Sequence, residues 1–138
     1  MVKQLSIFLQ NKSGKIASIT RALASADINI RALTIADTAE FGILRMLVSD
    51  VDKAVEVLAE NGCLAKATDV TVVAVPDKPG GLAEVLDIMA GGDIDIEYMY
   101  SYLGRDNSTA YMIFRSGNEE ALAALLEAHG IKTVEPEL

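Results

Sequence analysis

The chain repeats itself, and the length of the repeat limits what it can fold into. Residues 11–30, NKSGKIASITRALASADINI, align with residues 77–96, DKPGGLAEVLDIMAGGDIDI, at an offset of 66. Lys12/Lys78, Gly14/Gly80, Ala17/Ala83, Ala24/Ala90, Asp27/Asp93, Ile28/Ile94 and Ile30/Ile96 are identical. Ile16/Leu82, Ile19/Val85 and Leu23/Met89 are apolar in both copies. Met46/Met112 continue the match, and a one-residue slip adds Ala54/Ala121, Leu58/Leu125 and Glu60/Glu127. Solenoid repeats run at roughly 20–50 residues, so a longer period means two copies of one small domain. We place them at residues 1–69 and 70–138.

Periodicity within a copy supplies the elements. Leu5, Ile7 and Leu9 alternate with Gln4, Ser6 and Phe8, which suits a strand with one face inward. Ile16, Ile19, Leu23 and Ala26 fall at helical spacing, and Ala26-Asp27 ends that helix. A second strand follows over 28–36 and a third over 41–49, joined as a hairpin. Asp50 is placed to cap a helix over 52–61 with Val55, Leu58 and Ala59 inward, and Asn61-Gly62 ends it. A fourth strand covers 63–68. The second copy reads as strands at 70–76, 94–103, 108–116 and 131–135 with helices at 80–91 and 118–128. Pro79 falls in the first turn of its helix, where the missing N–H costs least.

The order βαββαβ predicts an α+β fold: two ferredoxin-like units, each an antiparallel four-stranded sheet with two helices on one face. Each copy alone has a thin core. Unpaired sheet edges invite association, so a homo-oligomer, in the simplest case a dimer, is expected.

Charge is unevenly shared. The net formal charge is −8. Residues 1–69 hold 8 Lys/Arg against 8 Asp/Glu, and residues 70–138 hold 4 against 12. Nucleic-acid binding needs a basic footprint, and this chain has none. No apolar run approaches bilayer length, and the start has no signal-peptide pattern. The single cysteine, Cys63, excludes an intrachain disulfide. These features point to a cytoplasmic protein with no membrane partner.

The loop Asn11-Lys12-Ser13-Gly14-Lys15 resembles a phosphate cradle, but the pattern fails. The GxxxxGK[ST] motif needs Gly where Leu9 stands and Ser or Thr where Ile16 stands. The second copy, Asp77-Lys78-Pro79-Gly80-Gly81, lacks the second Lys and adds a carboxylate. What remains is a helix N-terminus, which favours any anion, carboxylate included. Gly14 and Gly80 permit close backbone approach there.

A polar residue, any residue, Pro-Gly, an apolar helix and then Ile-Asn-Ile resembles the ACT domain. The chain is similar to small stand-alone proteins made of two tandem ACT domains. The second copy carries the Pro-Gly and the first carries Ile28-Asn29-Ile30, with Ser13 and Asp95 as the respective departures. The resemblance implies a regulatory, non-catalytic protein that binds a small ligand, most often an amino acid, where two ACT domains meet. It implies no cofactor, and as partner an enzyme or regulator that reads the ligand. It implies ligand contacts from Asn11, Lys12, Ser13 and Gly14 and from Ile28, Asn29 and Ile30 in one copy. In the other they come from Asp77, Lys78, Pro79 and Gly80 and from Ile94, Asp95 and Ile96. In serine-sensing members two Asn hold the ligand, at the positions of Asn11 and Asn29. Asp77 and Asp95 replace them in the second copy. If unlike copies face each other, Asn11 meets Asp95 and Asp77 meets Asn29. A carboxylate then takes the ligand ammonium while helix amides take its carboxylate.

Plainer roles stand beside these. Asn11 and Asp77 suit helix caps or Asx-turns, and Asn29 and Asp95 suit exposed strand positions. Tyr98, Tyr100 and Tyr102 share one strand face, as packing, an interface or a pocket wall requires. A protein-interaction module without a small ligand is therefore the alternative. A small enzyme fits less well: His129 is the only histidine, no Ser/His/Asp set forms, and one His with one Cys makes no conventional zinc site. His129 is placed to meet a helix C-terminus, and Cys63 is expected to be buried.

Overall fold

The computed structural model describes residues 1–10, 12–37, 41–103 and 108–136. The chain divides into an amino-terminal unit, Lys3–Thr68, and a carboxy-terminal unit, Asp69–Glu137 with Met1–Val2. The elements run β1 (Val2–Gln10), α1 (Lys15–Ser25), β2 (Ile30–Asp37), β3 (Phe41–Val48), α2 (Val51–Glu60) and β4 (Ala65–Pro76). They continue as α3 (Gly81–Gly91), β5 (Tyr98–Leu103), β6 (Thr109–Arg115) and α4 (Glu119–Ala128). The two strands expected at 63–68 and 70–76 are one strand, β4, whose residues fall on both sides of the unit boundary.

In the amino-terminal unit the strand order is β2-β3-β1-β4. Both β1 and β2 run antiparallel to β3 and so parallel to each other. Leu5, Ile7 and Leu9 of β1 and Leu44, Met46 and Val48 of β3 make one wall of the core. Ile19 and Leu23 of α1 with Ala54 and Leu58 of α2 make the other. Each large side chain there contributes about 1.5–3 kcal/mol over its exposed state. Of the expected inward trio on α2, Leu58 is buried and Val55 is half-buried against the core, while Ala59 is exposed and Ala54 takes its place.

The carboxy-terminal unit has the order β4-β6-β5, with Thr133 bridging Val73 on the other side of β4. The expected last strand shrinks to that bridge and one bond, from Val134 N–H to the Val72 carbonyl. Val73, Val75, Met112 and Phe114 meet Val85, Met89, Leu122 and Leu126 in a second core. The ferredoxin-like plan holds in both units.

Two expectations change. Alternation along β1 leaves Gln4 and Ser6 outward, yet both are buried. Hydrogen bonding offsets their desolvation: Gln4 Nε2 donates to Ser6 Oγ at 3.1 Å, and Ser6 Oγ lies 3.0 Å from Thr68 Oγ1. The repeat offset also changes along the chain. It is 66 through α1 and α3, but Asn118 caps α4 68 residues after Asp50 caps α2. Three residues separate β2 from β3 and five separate β5 from β6, which accounts for the two. Met46 therefore corresponds to Phe114, not Met112, and Leu58 corresponds to Leu126.

Helices α1 to α4 end alike. The residue three past the helix donates to a carbonyl five residues back: Ile28 to Leu23, Cys63 to Leu58, Ile94 to Met89 and Ile131 to Leu126. That Schellman closure needs a left-handed residue just before the donor. Gly62 and Gly130 supply it after α2 and α4, while Asp27 and Asp93, both at φ 59°, supply it after α1 and α3.

Candidate functional site

From Lys12 and Lys78 onward the two candidate loops share one pattern of backbone hydrogen bonds. Lys12 N–H donates to the Gln10 carbonyl at 2.8 Å, as Lys78 does to Pro76 at 2.9 Å. Lys15 N–H donates to Lys12 as Gly81 does to Lys78, and Ser18 to Gly14 as Glu84 does to Gly80. Gly14 and Gly80 are the N-caps of α1 and α3, at φ 82° and 87°. A glycine cap has no side chain to satisfy the first-turn amides, so these helix ends remain receptive to an outside acceptor. Pro79 precedes the N-cap rather than occupying the first turn, and Ser13 holds the same place in the other loop.

The loop side chains are open to solvent. Lys12, Ser13 and Gly14 are exposed, as are Asp77, Lys78, Pro79 and Gly80. Asp77 is tethered by its own N–H, which donates to the Ser108 carbonyl at 2.9 Å. Its carboxylate makes no hydrogen bond among the described residues, so a capping role for Asp77 finds no support there. Asn11 lies outside the described residues.

The other half of each candidate set leads into a strand, with Ile30 opening β2. Ile28 is buried, Asn29 exposed and Ile30 half-buried. Asn29 N–H donates to Ser49 Oγ at 2.9 Å, and the Asn29 carbonyl accepts from Ser49 N–H at 3.0 Å. Ile94 is half-buried and Asp95 and Ile96 are exposed, all ahead of β5. Asp95 was expected inside a strand. The strand instead begins at Tyr98, after the Glu97 N–H bonds the Arg115 carbonyl.

One unit does not bring its two halves together. Gln10 pairs with Phe41 at one end of β3, and Ile30 pairs with Val48 at the other. Seven strand steps at about 3.3 Å each put roughly 23 Å between them. In the carboxy-terminal unit Pro76 pairs with Thr109 and Tyr98 with Arg115, six steps or roughly 20 Å apart. Parallel β1 and β2 force this result, because the end of one and the start of the other lie at opposite ends of the sheet.

Sequence reasoning passed over two features. The first is Arg31. The ladder steps from Ile30/Val48 to Ala32/Leu47, leaving Arg31 as the extra residue of a bulge, and its Nε is buried without a hydrogen-bond partner among the described residues. A cation beside Asn29 was the available signal. The second is a cavity of about 770 Å³ at the loop end of the amino-terminal unit. Phe8, Phe41, Ile43 and Leu64 line it with Lys12 and Lys15. Cys63 also lines it and is buried, as expected.

The tyrosine strand resolves toward packing at one position. Tyr102 is buried and stacks on Tyr111 with ring centroids 4.9 Å apart. His129 is the C-cap of α4, its Nδ1 3.0 Å from the Leu125 carbonyl, as the helix-end reading requires. Among the described residues no helix is long and apolar enough to cross a membrane.

The family model for the ACT domain pair matches residues 1–136. The chain belongs to the ACT domain pair family. A crystal structure of a protein from Bacteroides thetaiotaomicron superposes on it with a TM-score of 0.91 at 40% identity, covering 99% of this chain and 93% of that one. The ligand-free regulatory subunit of aspartate kinase from Thermus thermophilus gives a TM-score of 0.66 at 18% identity, over 91% of each chain. Aspartate kinase from Synechocystis gives 0.62 at 14%, over 99% of this chain and 27% of that one. The last two likenesses concern the fold. No curated protein matches the chain.

As an ACT domain pair, the chain repeats its loop backbone faithfully and varies its side chains. The carboxy-terminal loop couples a carboxylate, Asp77, to an uncapped helix end. An acceptor of cations and a receptor for anions thus sit within five residues.

Proposed function

We propose that this ACT domain pair is a non-catalytic regulatory protein of the cytoplasm that binds a free amino acid. The observation that carries the reading is the Asp77–Gly80 loop. Its left-handed Gly80 leaves the end of α3 uncapped, and its Asp77 carboxylate is unpartnered among the described residues. A zwitterion matches that pair, with its ammonium on Asp77 and its carboxylate at the helix amides. Asn11, Lys12, Ser13 and Gly14 form the corresponding loop of the other copy. Because one unit keeps its halves roughly 20 Å apart, Ile28-Asn29-Ile30 and Ile94-Asp95-Ile96 serve a ligand held by the loop of a neighbouring domain. Binding then links domains, and a partner enzyme or regulator reads the change, with a homodimer as the simplest assembly. The fold shared with the regulatory subunit of aspartate kinase from Thermus thermophilus supports a regulatory role.

The test is calorimetric titration of the wild-type protein with each of the twenty amino acids, backed by thermal shifts. A ligand at a hundred times its Kd adds about 2.7 kcal/mol and raises Tm by several degrees. Asp77→Ala is expected to weaken that binding at least tenfold. Saturable binding of no amino acid, with the protein folded, would sink the reading and favour a protein-interaction module.

A further inference from the structure

The cavity at the loop end of the amino-terminal unit is built for a different ligand. Three large apolar side chains converge on it while still facing solvent: Phe8 is 46% exposed, Phe41 57% and Leu64 72%. Isolated apolar side chains at a surface are ordinary, but a group of them around a concavity marks a binding site. The volume, about 770 Å³, falls within the range of small-molecule sites. Lys12 and Lys15 belong to the lining, and Lys66 holds its ammonium 5.7 Å from the Phe8 ring centroid. Among the residues whose side chains are described, which exclude Asp37, no Asp or Glu lines the cavity.

The cavity is not a property of the repeated fold. At the offset of 66, Phe8 corresponds to Ala74 and Lys15 to Gly81. At the offset of 68 that holds beyond the hairpin, Phe41 corresponds to Thr109 and Leu64 to Lys132. None of the four side chains is kept. One copy alone carries an apolar wall with cations at its rim.

We propose that this cavity binds a small amphipathic anion, an apolar body of medium-chain acyl or aromatic size ending in one carboxylate or comparable acidic group. The body would cover Phe8, Phe41 and Leu64. The head would meet Lys12 and Lys15, where a charge-assisted bond adds affinity that a neutral head cannot. Charge sets the class: a cationic or neutral head gains nothing from that rim. The site shares Lys12 with the amino-terminal loop of the amino-acid reading but uses no residue of the Asp77 loop that carries that reading, so loss of amino-acid binding in Asp77→Ala and loss of probe binding in Phe41→Asp are separate outcomes.

The experiment is a displacement titration on the full chain. The fluorescent anion anilinonaphthalene sulfonate reports occupancy, with decanoate, decanol and decyltrimethylammonium as competitors. Decanoate is expected to displace the probe at least tenfold more effectively than decanol, with the cation weakest. Phe41→Asp, at a position outside the buried core, is expected to abolish probe binding with Tm little changed. The double variant Lys12→Glu/Lys15→Glu is expected to weaken decanoate at least tenfold while leaving decanol unchanged. Equal competition by decanoate and decanol would overturn the proposal, as would probe binding untouched by Phe41→Asp. So would a wild type that binds no probe. Sedimentation of wild type and Phe41→Asp guards against a protein occupant: loss of self-association in the variant, without probe binding in the wild type, assigns the surface to a second copy instead.

Discussion

Gly14 and Gly80 stand 66 residues apart and hold the same left-handed N-cap, at φ 82° and 87°. A Cβ built on either meets nothing within 4 Å, so space does not select glycine there; backbone conformation does. Gly81 is the reverse case. Its φ is ordinary, but a Cβ would overlap the Pro76 carbonyl oxygen. Gly80→Ala is therefore expected to cost about 1 kcal/mol, the left-handed penalty alone. Gly81→Ala should cost more, because strand end and helix start must separate, and about 3 kcal/mol is reasonable for backbone overlap at a buried site. Urea unfolding of the two variants checks the order, and a larger loss for Gly80→Ala would contradict it.

Asp27 and Asp93 offer a gain. Each sits at φ 59° in a Schellman closure whose counterparts use Gly62 and Gly130. Glycine adopts that conformation without the steric cost an aspartate bears. Asp27→Gly and Asp93→Gly are each expected to stabilise by about 0.5–1 kcal/mol, and the double variant by nearly the sum. Thermal melts at matched protein concentration measure it. A loss in either variant would show that the aspartate side chain contributes something glycine cannot.

Much of this architecture is legible in the residues. The twofold repeat, the helical spacing of Ile19 and Leu23, and Asp50 as a cap all carry through, because burial of one helix face and satisfaction of end amides are local demands. Other features depend on contacts distant in sequence. Gln4 and Ser6 read as surface residues because nothing local announces a bond from Ser6 to Thr68. The shift from 66 to 68 hid behind chance identities such as Met46 and Met112, and only strand pairing separates them. The candidate site shows the same limit. The resemblance pairs the Asn11 loop with the Asn29 segment of a neighbouring domain, and only strand pairing distant in sequence, with β1 parallel to β2, shows that the end of β1 and the start of β2 lie at opposite ends of one unit. The cavity around Phe41 gives no periodic signal at all, since its walls come from three separate stretches of chain.

Glu119 is 4% exposed and holds together the start of α4. Its carboxylate accepts from Ser116 N–H at 2.6 Å, from Ser116 Oγ at 2.9 Å and from Arg115 at 3.4 Å. Arg115 also donates to the Asp69 carbonyl at 2.7 Å and pairs with Glu97 at 3.1 Å. Glu119→Ala strands these donors and is expected to cost about 2–4 kcal/mol. Glu119→Gln keeps an acceptor for Ser116 and loses the charge and the long contact with Arg115 at 3.4 Å, so about 1 kcal/mol is expected. Glu97→Ala should be nearly silent, because Glu97 is largely exposed and its ion pair is screened. Denaturant titration of the three variants tests the ranking, and equal losses for Glu119→Ala and Glu97→Ala would refute it.

Arg31 makes the opposite kind of prediction. A guanidinium Nε buried without a partner is a cost the folded chain carries, of about 1–3 kcal/mol for a fully buried group and less at a half-buried residue. Methionine keeps the length of the stem and removes the unmet donor. Arg31→Met is therefore expected to stabilise the unliganded protein by about 1 kcal/mol, raising Tm by a few degrees at this size. Its place two residues from Asn29, at a register shift of the ladder, then has a reason in binding rather than in stability. The two effects separate in one experiment. Melts of wild type and Arg31→Met, with and without the amino acid that calorimetry selects, should cross: the variant melts higher alone and gains less from ligand. A variant that melts lower alone would mean that solvent already satisfies Nε, and a variant that gains as much from ligand would remove Arg31 from the site.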